Sequence, residues 1–288
     1  MDNPQNGLCF SAKVLPWHQK LMRDWLTLEG SRQGGWAYLI VNEDINEANH
    51  FVAQVTARLF CKTGHSVEPC LKCKGCRALL QGAHGDLLVV SVEEGKTAIG
   101  IDQIRAASNF LQHTNIYGDR KLLVIQEADK MTLSAANSVL KTLEEPSGRS
   151  TLLLSTSASW RLPPTIRSRC QRLKLPKPQS LVAVQWLESH GYAATEIEEA
   201  LTISRNLPLE ALINLNKGTI EHVKRLEGTF ETLTKLQTPI HSAPSEWKDF
   251  EKEILLLHLQ QWIERKITGS CFTGLSETLP DWLMLHRC

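Results

Sequence analysis

Five short apolar runs, at 36–41, 87–91, 122–125, 152–155 and 172–175, alternate with segments whose apolar residues recur at helical spacing. Runs this short and this apolar need cover on both faces, and the intervening helices are long enough to return the chain to the same end of a sheet. The pattern predicts an α/β fold with a mainly parallel sheet and helices on both faces. An amphipathic start carries Trp17, Leu21, Trp25 and Leu28, and 42–60 carries Phe51, Val52, Val55 and Leu59. A helix opening near Ile99 has Ile101, Ile104 and Leu111 on one face, and another has Leu133, Ala136, Leu140 and Leu143. Pro146 stops that last helix, because the residue before a proline is pushed out of helical geometry.

The stretch from Pro176 to Ser180 reads as a linker, and beyond it only helical patterns follow, near 181–190, 195–204, 208–215, 220–236 and 247–267. A chain of 288 residues suits two or three domains. The expected division is an α/β domain over 1–177 with a cysteine module at 61–76, a small helical domain over 178–216, and an all-α domain over 217–288. Phe250, Ile254, Leu257 and Trp262 form an apolar stripe in the last part, suited to a partner or to a private core.

Cys61, Cys70, Cys73 and Cys76 follow the spacing C-x8-C-x2-C-x2-C. Four thiolates this close can close a tetrahedral sulfur shell around Zn2+, with Gly75 easing the tight turn. A full shell leaves no position for water, so such a metal is structural. The alternatives are a ferredoxin-type cluster, which wants a further cysteine followed by proline, a CxxC redox pair, or free thiols. His84 then reads as a capping or packing residue rather than a ligand.

Hydrophobic content of 42%, charged content of 22% and a net charge of +1 describe an ordinary globular chain, without the basic stripe of a protein that wraps nucleic acid. The N-terminal twenty residues lack an apolar segment of signal-peptide length, and no run approaches a membrane span. The expectation is a cytoplasmic protein with reduced thiols.

Lys141-Thr142-Leu143-Glu144-Glu145-Pro146, then a buried strand, then Ser168-Arg169-Cys170, resembles the clamp-loader branch of the AAA+ ATPases. That branch comprises bacterial DNA polymerase III gamma/tau and delta-prime subunits and eukaryotic replication factor C subunits. The resemblance implies an AAA+ sheet, a helical lid and a helical collar, and the four-cysteine insertion narrows it to the bacterial members. It implies that Arg169 is an arginine finger acting in trans, with Ser168 positioning its loop. Arginine suits the task because it stays charged and offers a planar fork to phosphate oxygens. Without the flanking motifs Arg169 reads as one of four arginines, with Arg161, Arg167 and Arg172, on a solvated edge.

Three nucleotide-contact positions depart from the ATP-binding pattern. The phosphate loop GxxGxGK[ST] is replaced by residues 42–49, in which no glycine or lysine occurs; Ala48 and Asn49 take the Lys-Ser/Thr positions, and Glu43, Asp44 and Glu47 would repel a triphosphate. Gln126-Glu127 stands where Asp-Glu would hold magnesium and polarise water, so Glu127 and Asp129 read as solvated charges, and Leu209 stands where a sensor arginine would be. The implied function is that of the ATPase-deficient, delta-prime type of subunit, with no catalytic site of its own. Its implied partners are gamma/tau and delta, with the sliding clamp and primed DNA reached mainly through the complex. An active gamma/tau-type ATPase and a zinc-containing DNA-binding module using Lys62, Lys72 and Lys74 are the other readings.

Overall fold

The computed structural model describes residues 8, 10, 13–30, 35–63, 67–118, 120–234, 259, 260, 262, 263 and 266. A 3-10 turn, Pro16–His18, leads into α1 (Gln19–Gly30). The chain then alternates through β1 (Trp36–Val41), α2 (Ile45–Phe60), α3 (Lys74–Leu80), β2 (Leu87–Val90), α4 (Ile101–Gln112), β3 (Lys121–Ile125), α5 (Leu133–Glu144), β4 (Ser150–Thr156), α6 (Pro164–Arg167) and β5 (Gln171–Lys174). All-helical structure follows in α7 (Ser180–Glu188), α8 (Ala194–Ile203), α9 (Pro208–Lys217) and α10 (Thr219–Thr234).

The five strands form one parallel sheet in the order β2-β3-β4-β1-β5. Alternation along each strand assigns two cores. Tyr38, Ile40, Leu122, Val124 and Leu153 face α1 and α2, with Met22, Trp25, Phe51 and Val55 among the residues that cover them. Ala37, Leu39, Leu123, Ile125, Leu152 and Leu154 face the other way, onto Ile104 and Leu111 of α4 and Ala136, Val139 and Leu143 of α5. β4 lies between β3 and β1 and is buried along its whole length, as expected for a central strand covered on both sides. Glu29 is the charged group in this interior that gathers the most donors, from Tyr38 Oη at 2.6 Å, Arg120 at 2.9 Å and Thr151 Oγ1 at 3.3 Å. Three donors, one of them a cation, compensate the loss of water around its carboxylate.

The helix faces differ from the periodic reading in two places. Leu133 is 70% exposed, and the core face of α5 is set by Ala135, Ala136, Val139 and Leu143. Leu133 is the first residue after the Thr132 cap, whose hydroxyl accepts from Ala135 N, so it lies ahead of the first turn that meets the sheet. Leu28 is exposed, while Met22 and Trp25 supply the buried side of α1.

By compactness the chain forms two units, one comprising Met1–Ile197 with Asn206–Glu210, the other Glu198–Arg205 with Ala211–Cys288. In the second, Trp262 packs on Phe230 and Leu226, and Glu199 pairs with Lys224. Phe250, Ile254 and Leu257 lie outside the described residues, as does most of 247–267.

Candidate functional site

Parallel α/β sheets place their chemistry at the carboxyl ends of the strands, and the sequence-derived positions around β1, β3 and β4 gather there. From Val41 the chain reaches α2 in three residues. Asn42 Oδ1 accepts from Asp44 N at 3.1 Å, and the Asp44 carboxylate accepts from Asn46 N at 2.8 Å. The first N–H groups of a helix are the usual receptors for a phosphate; here a side chain of the same chain takes that role. Ala48 is fully buried, with its N–H donated to the Asp44 carbonyl at 3.0 Å. Asn49 Oδ1 accepts from Ser155 Oγ at 2.7 Å, and Glu127 N donates to the same Ser155 oxygen at 3.4 Å. Burial pushes the Asp44 carboxyl up to about 6, against the opposing effect of the N–H groups it accepts from.

Glu127 and Asp129 do not stand free in solvent. Glu127 adopts a left-handed conformation at φ 49° and pairs with Lys130, and Asp129 accepts from the Thr156 hydroxyl. The turn after β3 is thus closed by its own side chains.

A second network lies under the start of α2. Glu47 is buried, and its Oε1 accepts from Trp17 Nε1 at 2.7 Å and lies 2.8 Å from His18 Nε2. The Trp17 ring meets Trp186 of α7 edge-on at 5.4 Å. Asn46 Nδ2 donates to Glu210 at 2.9 Å, and Lys177 pairs with Glu43 at 2.9 Å. His50 is driven down to about 4 by burial and by His18, so its ring is neutral. Sequence periodicity gave no sign of this network, because its members are polar residues that meet only in three dimensions.

Arg169 follows α6 and stays at the surface. Its Nε donates to Glu144 Oε1 at 2.6 Å, its Nη2 lies against the same oxygen, and its Nη1 donates to the Thr165 carbonyl at 2.9 Å. Among the described residues, Arg169 is the one of the four local arginines with a carboxylate partner. Ser168 Oγ donates to the same Thr165 carbonyl at 3.1 Å. Cys170 points inward, and burial pushes its thiol up to about 12, which makes it an inert anchor for the loop.

The four cysteines meet as their spacing requires. Cys61, Cys70, Cys73 and Cys76 place their sulfurs within 4.8 Å of one another. A tetrahedral zinc shell with bonds of about 2.3 Å has sulfur separations of roughly 3.8 Å, and Cys70 and Cys76 already stand at 4.0 Å. Cys61 Sγ accepts from Cys70 N at 3.3 Å, while Cys70 Sγ accepts from Lys72 N at 3.4 Å and Cys73 N at 3.3 Å. Hydrogen bonds from Thr63 and from those two N–H groups pull the Cys70 thiol down to about 5, whereas burial holds the Cys76 thiol up. The donor set is a closed shell of four sulfurs that could hold a metal ion. Gly75 is needed here for close approach rather than for an unusual φ, since a Cβ would lie 2.3 Å from the Phe60 carbonyl oxygen. His84 stays outside the shell; its Nδ1 accepts from Asp86 N, and its ring packs between Phe60 and Tyr117.

Among the described residues, no helix is long and apolar enough to cross a membrane. The sequence model of the family described as "DNA polymerase III, delta subunit" matches residues 18–179. The chain is 31% identical over 253 residues to the DNA polymerase III subunit delta' of Pseudomonas aeruginosa, a match covering 87% of this chain and 76% of that protein. It is 36% identical to the delta' subunit of Haemophilus influenzae, covering 65% of this chain and 56% of that one. To the delta' subunit of Escherichia coli it is 30% identical, covering 68% and 60%. The chain thus spans only a little over half the length of the last two. A match over more than half of this chain, to relatives that share one name, settles the family: the chain belongs to the DNA polymerase III delta-prime subunits.

Proposed function

We propose that the chain is a non-hydrolysing ring subunit whose chemical contribution is made to a neighbour's nucleotide. In this reading it assembles with gamma/tau and delta subunits and acts as a stator while the complex places the sliding clamp on primed DNA. Arg169 reaches the triphosphate held by an adjoining gamma/tau subunit, and Ser168 keeps the loop in shape. In the transition state of phosphoryl transfer, negative charge spreads over the oxygens of the moving group, and a guanidinium in contact with two of them lowers the barrier. The 178–216 segment serves as the lid, and 217–288 as a collar-like region.

One observation carries the reading. The corner that would receive a triphosphate is closed by Asp44, Asn42 and Ser155, while Arg169 stays at the surface. Carboxylates at 43, 44 and 47 add repulsion where a phosphate would need cations. The four sulfurs hold Zn2+ in this reading. Bound there, the ion ties the end of α2 to α3 and supplies no chemistry to the reaction.

The test is ATP turnover by a complex reconstituted with gamma/tau and delta partners. Arg169→Ala is expected to leave folding and zinc content intact and to slow hydrolysis at the adjoining site by roughly 10³-fold. Turnover equal to that of the unaltered complex would remove Arg169 from the mechanism.

A further inference from the structure

We infer that Glu144 is a positioning residue for Arg169, an inference that rests on the trans-acting role proposed above. The two side chains are 25 residues apart in sequence and meet because one core fixes both: Leu143 beside the carboxylate, and Ile166 and Cys170 beside the guanidinium, belong to the same buried cluster. Pro146 ends α5 immediately after this point, with Glu145 already out of helical geometry at φ −131°, so the Glu144 carboxylate is presented at a fixed helix terminus.

A guanidinium carries five N–H bonds. Glu144 Oε1 meets Nε and Nη2, and the Thr165 carbonyl meets Nη1. Three of the five are then engaged, and one N–H remains on each terminal nitrogen. Those two are the pair that two phosphate oxygens can accept. The side chains of Arg169 and Glu144 are 32% and 48% exposed, so an arginine without this partner would sample many rotamers in water. Exposed ion pairs contribute little to folding stability. The effect of Glu144 therefore belongs in the rate of the neighbour's reaction and not in the stability of this chain. Glu145 carries the same charge one position on, but lines a separate groove between α4 and α5 with Arg105 and Lys141.

The test compares Glu144→Ala, Glu144→Gln, Glu145→Gln, Arg169→Ala and the double variant Glu144→Ala/Arg169→Ala in the reconstituted complex, reading kcat and KM for ATP with the melting temperature of each free chain. Glu144→Ala is expected to lower kcat at the adjoining site about tenfold with KM and melting unchanged. Glu144→Gln should recover part of the loss, because its amide oxygen still accepts from Nε, and Glu145→Gln should match the unaltered chain. The double variant should be no slower than Arg169→Ala alone, since residues acting through one another are not additive. If Glu144→Ala turns over as fast as the unaltered complex, or faster, while Arg169→Ala is slow, Glu144 does not position the arginine, although the trans-acting role survives. A double variant slower than Arg169→Ala would show that Glu144 acts by another route. An Arg169→Ala complex with full activity would overturn both readings at once.

Discussion

Asp44 holds a carboxyl that is 4% exposed, with one oxygen accepting from Asn46 N and the other buried without a hydrogen-bond partner. Burial away from water accounts for the direction of its shift, from an ordinary 3.8 to about 6. A carboxyl whose pKa is raised by folding opposes folding while it is ionised, so its cost is present above pH 6 and fades as pH falls toward 4. Asp44→Asn keeps an acceptor for the helix N–H and removes the charge. It is expected to stabilise the fold at pH 7.5 by up to about 3 kcal/mol. The gain should shrink through pH 6 and vanish below about pH 4, as read by denaturant unfolding across that range. At the far end of α2, where Gly75 of α3 abuts Phe60, Gly75→Ala must displace the Phe60 carbonyl or tilt α3, at a cost of about 1–3 kcal/mol. Loss of metal from that variant, read as zinc per chain, is the accompanying expectation.

At the scale of elements, what was legible in the sequence followed from period. All five strands appear within two residues of where the sequence places them; β1 to β4 are continuous apolar runs, as cover on both faces requires, whereas β5, Gln-Arg-Leu-Lys at the sheet edge, alternates half-buried and exposed residues. The four cysteines were legible by spacing, since a metal shell made of neighbours in sequence needs little of the fold. The networks around Glu47 and Glu29 were not legible. Their members are spread over Trp17, His18 and Glu47 in one case and Glu29, Tyr38, Arg120 and Thr151 in the other, and no periodicity links them. Leu133 was misplaced because a helix cap shifts which residues reach the core, and a pattern of apolar residues does not record where the first turn meets the sheet. α2 and α3 meet where Gly75 abuts Phe60, each next in the chain to a metal-shell cysteine, Cys76 and Cys61, so metal and helix packing should be lost together. Chelation at neutral pH is expected to lower the melting temperature and to expose four thiols to a colorimetric thiol reagent, while Cys170 stays unreactive until the chain unfolds.

For the whole molecule, the decisive measurement concerns ligand linkage. A ligand that binds only the folded state at 100 times its Kd raises stability by about 2.7 kcal/mol. Millimolar magnesium-ATP is expected to leave the melting temperature of the isolated chain unchanged, and a rise of several degrees would contradict the proposed loss of nucleotide binding. The internal closure of the β1–α2 turn has a further consequence. Side chains of the protein itself occupy the hydrogen-bonding positions at this corner. In the role proposed above, starvation or plenty would then leave this subunit the same shape, a constant reference for the moving parts of the ring.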